Sequence, residues 1–315
     1  MSDKVATRAA YGKTLVALGR EDERIVVLDA DLSGSTTTAE FAREFPQRFF
    51  NMGIAEANMM GVAAGLAASG KIPFASTFAI FATGRAFEQV RQSIAYPAFP
   101  VKIAATHAGV SVGADGASHQ SIEDVALMRV IPGMTVICPC DAVETAGAVI
   151  AAARHDGPVY LRLGRHPVPV VMPENHVFTL GRAERLRQGS DVVLLASGLM
   201  VSVCLEAADL LAQQGMSAEV INVSTIKPLD KAAILDAAKR CRAVVTAEEH
   251  SVIGGLGSAV AALLAQKCPT PLEMVGIQDR FGQSGDVPPL LEEYGLTPGA
   301  VVAAAERVIQ GRCMN

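Results

Sequence analysis

"MTVICPCDAVETAGAVIAAARHDGPVYLRLGRH", residues 134–166, decides the architecture. Residues 134–139 and 158–164 are short, nearly continuous apolar runs of strand character, and residues 141–155 between them are alanine-rich and helical in pattern. Strands without an apolar/polar alternation, joined by a helix, belong to a parallel sheet covered on both faces. The same unit repeats upstream, with strand runs at 24–30, 72–77 and 101–107 and a helical run at 56–68. Downstream, "RHPVPVVMPENH" (165–176) carries three prolines and breaks the alternation, as a boundary does. Strand runs resume at 191–197, 218–224, 243–250 and 272–277. The pattern predicts an α/β chain of two doubly wound domains, 1–175 and a smaller 190–315, with a linker region at 176–189.

Composition narrows the function classes. The 27 basic and 32 acidic residues give a net charge of -5 with no basic run, which argues against a nucleic-acid partner. The polar start "MSDKVATRAAYGKTL" lacks a signal-peptide core, and no run reaches the ~18 apolar residues of a spanning helix. Cysteines 138, 140, 204, 241, 268 and 313 are scattered; the C-P-C at 138–140 is too tight for usual zinc spacing and has no second pair. Reduced thiols in a cytoplasmic protein without membrane association, and no metal site in this chain, are the expectation.

Ligands of parallel α/β sheets sit at the carboxyl ends of the strands, so polar residues just after each strand come next. Glu56 opens the otherwise apolar helix of "NMGIAEANMMGVAAGLAASG" (51–70). It is either a first-turn charge aiding the helix dipole or a buried acid suited to proton exchange with a heterocycle. Phe78 and Phe81, three apart after a strand, are either core or the aromatic wall of a planar-ligand site. His107, Asp115 and His119 bracket the glycine-rich "GADGASHQS" (113–121), where imidazoles orient a hydroxylated substrate or relay protons. Arg162 and Arg165 in "RLGRH" suit phosphate or carboxylate recognition, with a surface ion pair as the alternative. "EEHSVIGGLGSAVA" (248–261) lacks the third glycine of a dinucleotide loop and reads as a tight strand-to-helix turn.

These stretches resemble the carboxyl-terminal half of transketolase, in order and spacing, across essentially the whole chain. The likeness rests on "MGIAEANMMGVAAGLAASG", "ASTFAIF", "THAGVSVGADGASHQSIEDVALMRVIPGMTVICPCDAVE" and "DGPVYLRLGR", then "IKPLD", "EEHSVIGGLGSAVA" and "RFGQSGD". The resemblance implies a thiamine-diphosphate-binding pyrimidine-type fold followed by a transketolase C-terminal-like domain. It implies that Glu56 hydrogen-bonds the aminopyrimidine and activates the cofactor, that Phe78 and Phe81 enclose that ring, and that Asp31 lies near the cofactor. His107, Asp115 and His119 match residues contacting sugar hydroxyls, His107 and His119 with a catalytic share, and Arg165 matches a sugar-phosphate ligand. Two positions depart from the family pattern: Gly84 stands where a third aromatic belongs, and Gly164 where a serine accompanies the arginine.

The family's Gly-Asp-Gly motif for diphosphate and Mg²⁺ is missing from this sequence. The resemblance therefore implies a split enzyme in which a separate N-terminal subunit holds Mg²⁺ and shares the thiamine diphosphate. An α2β2 heterotetramer with a homodimeric core would move a two-carbon glycolaldehyde unit from a ketose, as its phosphate, to an aldose. Alternatives are a deoxyxylulose-phosphate-synthase-like fragment, the β subunit of a 2-oxo acid dehydrogenase, and a non-catalytic scaffold chain.

Overall fold

The structure, a computed structural model, describes residues 4–312, so Cys313 lies outside the described residues. The strands in chain order are β1 (Lys4–Val5), β2 (Ile25–Asp29), β3 (Phe49–Asn51), β4 (Ile72–Phe78), β5 (Lys102–Thr106), β6 (Thr135–Ile137), β7 (Val159–Arg162) and β8 (Val168–Pro169). They continue as β9 (Glu184–Arg187), β10 (Val192–Ala196), β11 (Ala218–Asn222), β12 (Thr225–Lys227), β13 (Val244–Ser251) and β14 (Leu272–Ile277). A seven-stranded sheet runs β12-β6-β7-β5-β4-β2-β3 and a five-stranded sheet runs β14-β13-β10-β11-β9. All pairings among β2–β7 are parallel, as are those joining β10, β11, β13 and β14. Every residue of β2, β5, β10 and β11 is buried, which is the physical meaning of sequences that lack an apolar/polar alternation, the buried polar exceptions being Asp29, Lys102, Thr106, Glu219 and Asn222.

Local chemistry explains the decisive unit. Asp141 accepts a hydrogen bond from Glu144 N and so starts the helix Ala142–Arg154, which packs Ala148, Val149 and Ala152 into the core with Leu161 of β7. The helix Glu56–Ala68 ends just before Gly70, whose φ of +85° turns the chain back toward β4.

Three connections differ from the linear division into two domains and a linker. The proline-rich stretch after β7 contributes β8, which pairs antiparallel with β1 and ties the chain start to the end of the first sheet. Within 176–189, Glu184–Arg187 is β9, an antiparallel edge strand on β11. From the second half, β12 crosses over to pair antiparallel with β6. Without it the three-residue β6 would be an open edge of a buried sheet; β12 covers that edge, and Lys227 Nζ donates to Arg129 O (2.9 Å) and Ile131 O (2.5 Å). Its three residues, Thr225–Lys227, are too few to carry a pattern that announces this role.

The halves also meet where the arginine of a buried ion pair in the first half reaches a backbone carbonyl of the second. Arg162, at the end of β7, donates from Nε to Asp124 Oδ2 (2.8 Å) and from Nη2 to the backbone carbonyl of Glu249 on β13 (2.9 Å). Tyr160 Oη donates to Asp124 Oδ2 at 2.6 Å. Burial works most strongly against the Asp124 carboxylate, but Arg162, His250 and the Tyr160 hydroxyl together outweigh it and hold the group below the usual carboxylate range.

Candidate active site

Glu56 is the only charged residue of its thirteen-residue helix and is 1% exposed. Among the described residues, both carboxylate oxygens have one partner, Arg85 Nη1, at 2.9 and 3.0 Å. Arg85 closes a π-helical turn, Phe81–Arg85, in which Ala86 N donates to Phe81 O at 3.3 Å; such widened turns recur at functional sites. The guanidinium carbon lies 4.6 Å from the Phe81 ring centroid. Phe81 stacks on Phe78 at 5.9 Å with 14° between planes, and Phe78 stacks on His107 at 3.8 Å. His119 meets Phe81 edge-on at 5.4 Å and Phe78 at 6.2 Å. Arg85 therefore links the buried acid to a run of rings, Phe81 and Phe78, that continues to the two imidazoles.

His107 follows β5 with φ 57°, a left-handed conformation uncommon outside glycine and concentrated at functional sites. Its Nδ1 lies 2.9 Å from Thr106 Oγ1. Burial, reinforced by the positive charge of Arg8, Arg165 and His119, pushes its pKa down from 6.5 to about 3, so the ring is neutral at physiological pH. The unfolded chain therefore binds the extra proton between pH 6.5 and about 3, and the contribution of this group makes stability fall as pH falls through that window. Glu249, pushed up to about 7 by burial, acts with the opposite sign between 4.5 and 7, so the informative quantity is a difference between variants. His107→Asn is expected to weaken the acid loss of stability in urea titrations repeated across that range. An unchanged pH slope would mean that the imidazole titrates freely in the folded chain.

The loop after His107 is held from below. Glu249 accepts from Ser111 N at 2.6 Å, and a Cβ on Gly109, at φ +79°, would lie 2.3 Å from the Glu249 carboxyl carbon. Only glycine lets the backbone close over that carboxyl group. Farther along, Arg165 Nη1 donates to Val112 O (2.7 Å) and pairs with Asp115 Oδ2 at 3.3 Å, both side chains remaining partly exposed. Arg8, on the helix Thr7–Glu21, carries no local sequence signal of a site role. Burial first, and Arg165 second, lower its pKa, and its Nη1 donates to Ser35 O at 2.6 Å. Gly164 N donates to Thr7 Oγ1 at 2.7 Å, the contact that brings this helix start to the end of β7. The positive charges of Arg8 and Arg165 thus act on each other and on a neutral imidazole, an excess that favours an anion.

Other candidates fall differently. Asp31, also left-handed (φ 63°), is exposed and accepts from Asn51 Nδ2 at 3.0 Å. Its neighbour Asp29 is buried and anchors the following loop, accepting from Leu32 N and from the hydroxyls of Thr36 and Thr38. Arg162 belongs to the buried pair with Asp124 rather than to a ligand site. At the glycine-rich turn, Glu248 accepts from Leu256 N (2.7 Å) and Gly257 N (2.8 Å), so the chain's own carboxylate fills the anion position at that helix start. Cys138, Cys140 and Cys204 are buried and burial raises their thiol pKa values, which makes them inert. Among the described residues no group of three or more His, Cys, Asp or Glu side chains is placed to hold a metal, and no helix is long and apolar enough to cross a membrane.

Residues 3–170 match the family described as "Transketolase, pyrimidine binding domain", and residues 181–301 match "Transketolase, C-terminal domain". The chain belongs to the transketolase family. This transketolase chain is 48% identical to the 6-deoxy-6-sulfo-D-fructose transketolase subunit SqwH of Clostridium sp., over 96% of its own length and 94% of that protein. It is 38% identical to a subunit of the apulose-4-phosphate transketolase of Phocaeicola vulgatus, over 96% and 97% of the two chains. A solved "Split gene transketolase, inactive beta4 tetramer" superposes with a TM-score of 0.92 at 56% identity, covering 97% of this chain and 99% of that one. The transketolase chain therefore corresponds to the C-terminal subunit of a split transketolase, a transferase of the thiamine-diphosphate-dependent family.

Proposed function

We propose that this chain, joined to an N-terminal subunit that carries the Mg²⁺ and diphosphate site, transfers a two-carbon glycolaldehyde unit from an anionic ketose to an aldose. The observation that carries the reading is Glu56: a carboxylate 1% exposed whose partner, the half-exposed Arg85, lies over the stacked phenylalanines. A buried acid next to a flat aromatic face fits an aminopyrimidine, which offers a ring nitrogen to the acid and a π-face to the phenyl ring. Thiamine diphosphate, when bound, supplies the carbanion chemistry that breaks a carbon–carbon bond beside a ketone. The residues of this chain do the rest. Glu56 holds a proton at the pyrimidine nitrogen; Phe78 and Phe81 exclude water from it. His107, neutral, and His119 bind substrate hydroxyls and pass protons, with Asp115 at the mouth, while Asp31 faces the cofactor from the end of β2. Two of each chain form an α2β2 enzyme with a homodimeric core, acting in the cytoplasm on pentose and related sugar phosphates.

The anionic end of the substrate is met by Arg8 and Arg165. The named substrates of two relatives carry a sulfonate and a phosphate, both tetrahedral oxyanions matched to guanidinium donors. The test mixes this chain with a partner bearing Gly-Asp-Gly, thiamine diphosphate and Mg²⁺, and follows ketol transfer from phosphorylated, sulfonated and uncharged ketoses, with pyruvate and lipoamide as the contrasting assay. Ketol transfer only in the mixture supports the proposal; oxidative turnover of pyruvate, or none at all, rejects it. Arg165→Ala and Arg8→Ala are each expected to raise KM for the anionic ketose ~10-fold or more, the loss of a charged hydrogen bond, and to leave uncharged ketoses nearly unchanged. An equal loss on both substrate classes would remove the arginines from anion binding.

A further inference from the structure

Arg85 touches the two surfaces that a pyrimidine would need. Its Nη1 donates to both oxygens of Glu56 (2.9 and 3.0 Å), and its guanidinium lies over the Phe81 ring, 4.6 Å from the centroid. Glu56 is 1% exposed, whereas the Arg85 side chain is 53% exposed. A planar, positively charged group that donates to the buried carboxylate while stacking on the phenylalanine presents the same chemistry as a protonated aminopyrimidine. The position just before it, where the resemblance places a third aromatic, is Gly84, and a Cβ there would meet nothing within 4 Å. The space beside Arg85 is therefore open, and its exposed stem gives the guanidinium somewhere to go.

We propose that Arg85 is a built-in stand-in for the cofactor's aminopyrimidine: in the unloaded chain it occupies Glu56 and the Phe81 face, and it swings outward when the cofactor binds. This rests on the reading of Glu56 as the pyrimidine's partner. A buried carboxylate without a partner is costly, so a chain that must fold before it is loaded benefits from a temporary one. The consequence is a weakened apparent affinity, since only the fraction of chains with Arg85 displaced can take the ring. A competent fraction of roughly one in ten weakens binding about tenfold.

The experiment measures thiamine diphosphate binding by isothermal titration calorimetry with Mg²⁺ present, using this chain assembled with its diphosphate-binding partner. Arg85→Ala is expected to lower the cofactor Kd roughly tenfold, and Arg85→Lys, which keeps charge but loses the planar fork, to lower it less. In parallel, the free Arg85→Ala chain is expected to melt earlier than wild type, and adding Glu56→Gln to restore part of the loss. An unchanged or weaker affinity in Arg85→Ala overturns the proposal, and so does a Lys variant binding as poorly as wild type if the alanine chain fails to fold. A wild-type assembly that binds no thiamine diphosphate overturns the reading of the whole site, an outcome distinct from either.

Discussion

Glu56→Gln, in the assembled two-chain enzyme, is expected to lower ketol-transfer turnover by ~10²-fold or more, the scale on which a positioned acid–base group contributes. Glutamine keeps the size and the hydrogen-bonding capacity of the side chain at a position that is 1% exposed, so packing of the helix Glu56–Ala68 against β4 survives. What it loses is a group able to take and return a proton. Arg85, half exposed, rehydrates when its partner is neutralised, so folding stability is expected to shift by only about 1 kcal/mol. The comparison to make is turnover at saturating cofactor beside a urea midpoint on the same preparation. A variant that turns over like wild type removes Glu56 from the chemistry, and a collapse of stability without loss of turnover assigns it to folding instead.

Asp124→Ala is expected to cost ~3–5 kcal/mol of stability, because it strands a charged guanidinium that the fold has taken out of water. Arg162 is about nine-tenths buried, with Asp124 fully buried beside it, and the same pair receives the Tyr160 hydroxyl. The double variant Asp124→Ala/Arg162→Met is expected to recover much of the loss, since an apolar pair of similar volume leaves no uncompensated charge. Urea unfolding of the single and double variants measures both. A loss of less than ~1 kcal/mol in the single variant would place the pair in the class of surface salt bridges.

The two arginines of "RLGRH" show where sequence stops being informative. Arg162 and Arg165 share a motif three residues apart, yet one is locked against Asp124 and the other pairs, partly exposed, with Asp115. Nothing local distinguishes them, because the choice depends on which side of the strand end faces the second domain. Arg8 and Arg85 escape a sequence reading for the same reason. The contact that places Arg8 joins residues 157 apart in sequence, and Arg85 gains its meaning only from Glu56, 29 residues upstream. By contrast, Phe78, Phe81, His107 and His119 are legible, since polar and aromatic residues at or soon after the ends of buried strand runs are visible without partners, and these four meet in one cluster of stacked and edge-on rings.

Near-neighbour pattern alone settled the α/β class, the position of most parallel strands and the loop that follows β5. Such features are set by the periodicity of apolar residues over a few turns or strand repeats, which a single segment carries within itself. Only the tertiary structure decided that β12 of the second half closes the edge of the first sheet, that 176–189 holds a strand, and that Arg85 answers Glu56. Those choices follow from which buried edge or charge lacks a partner, and that is known only when distant segments have packed together.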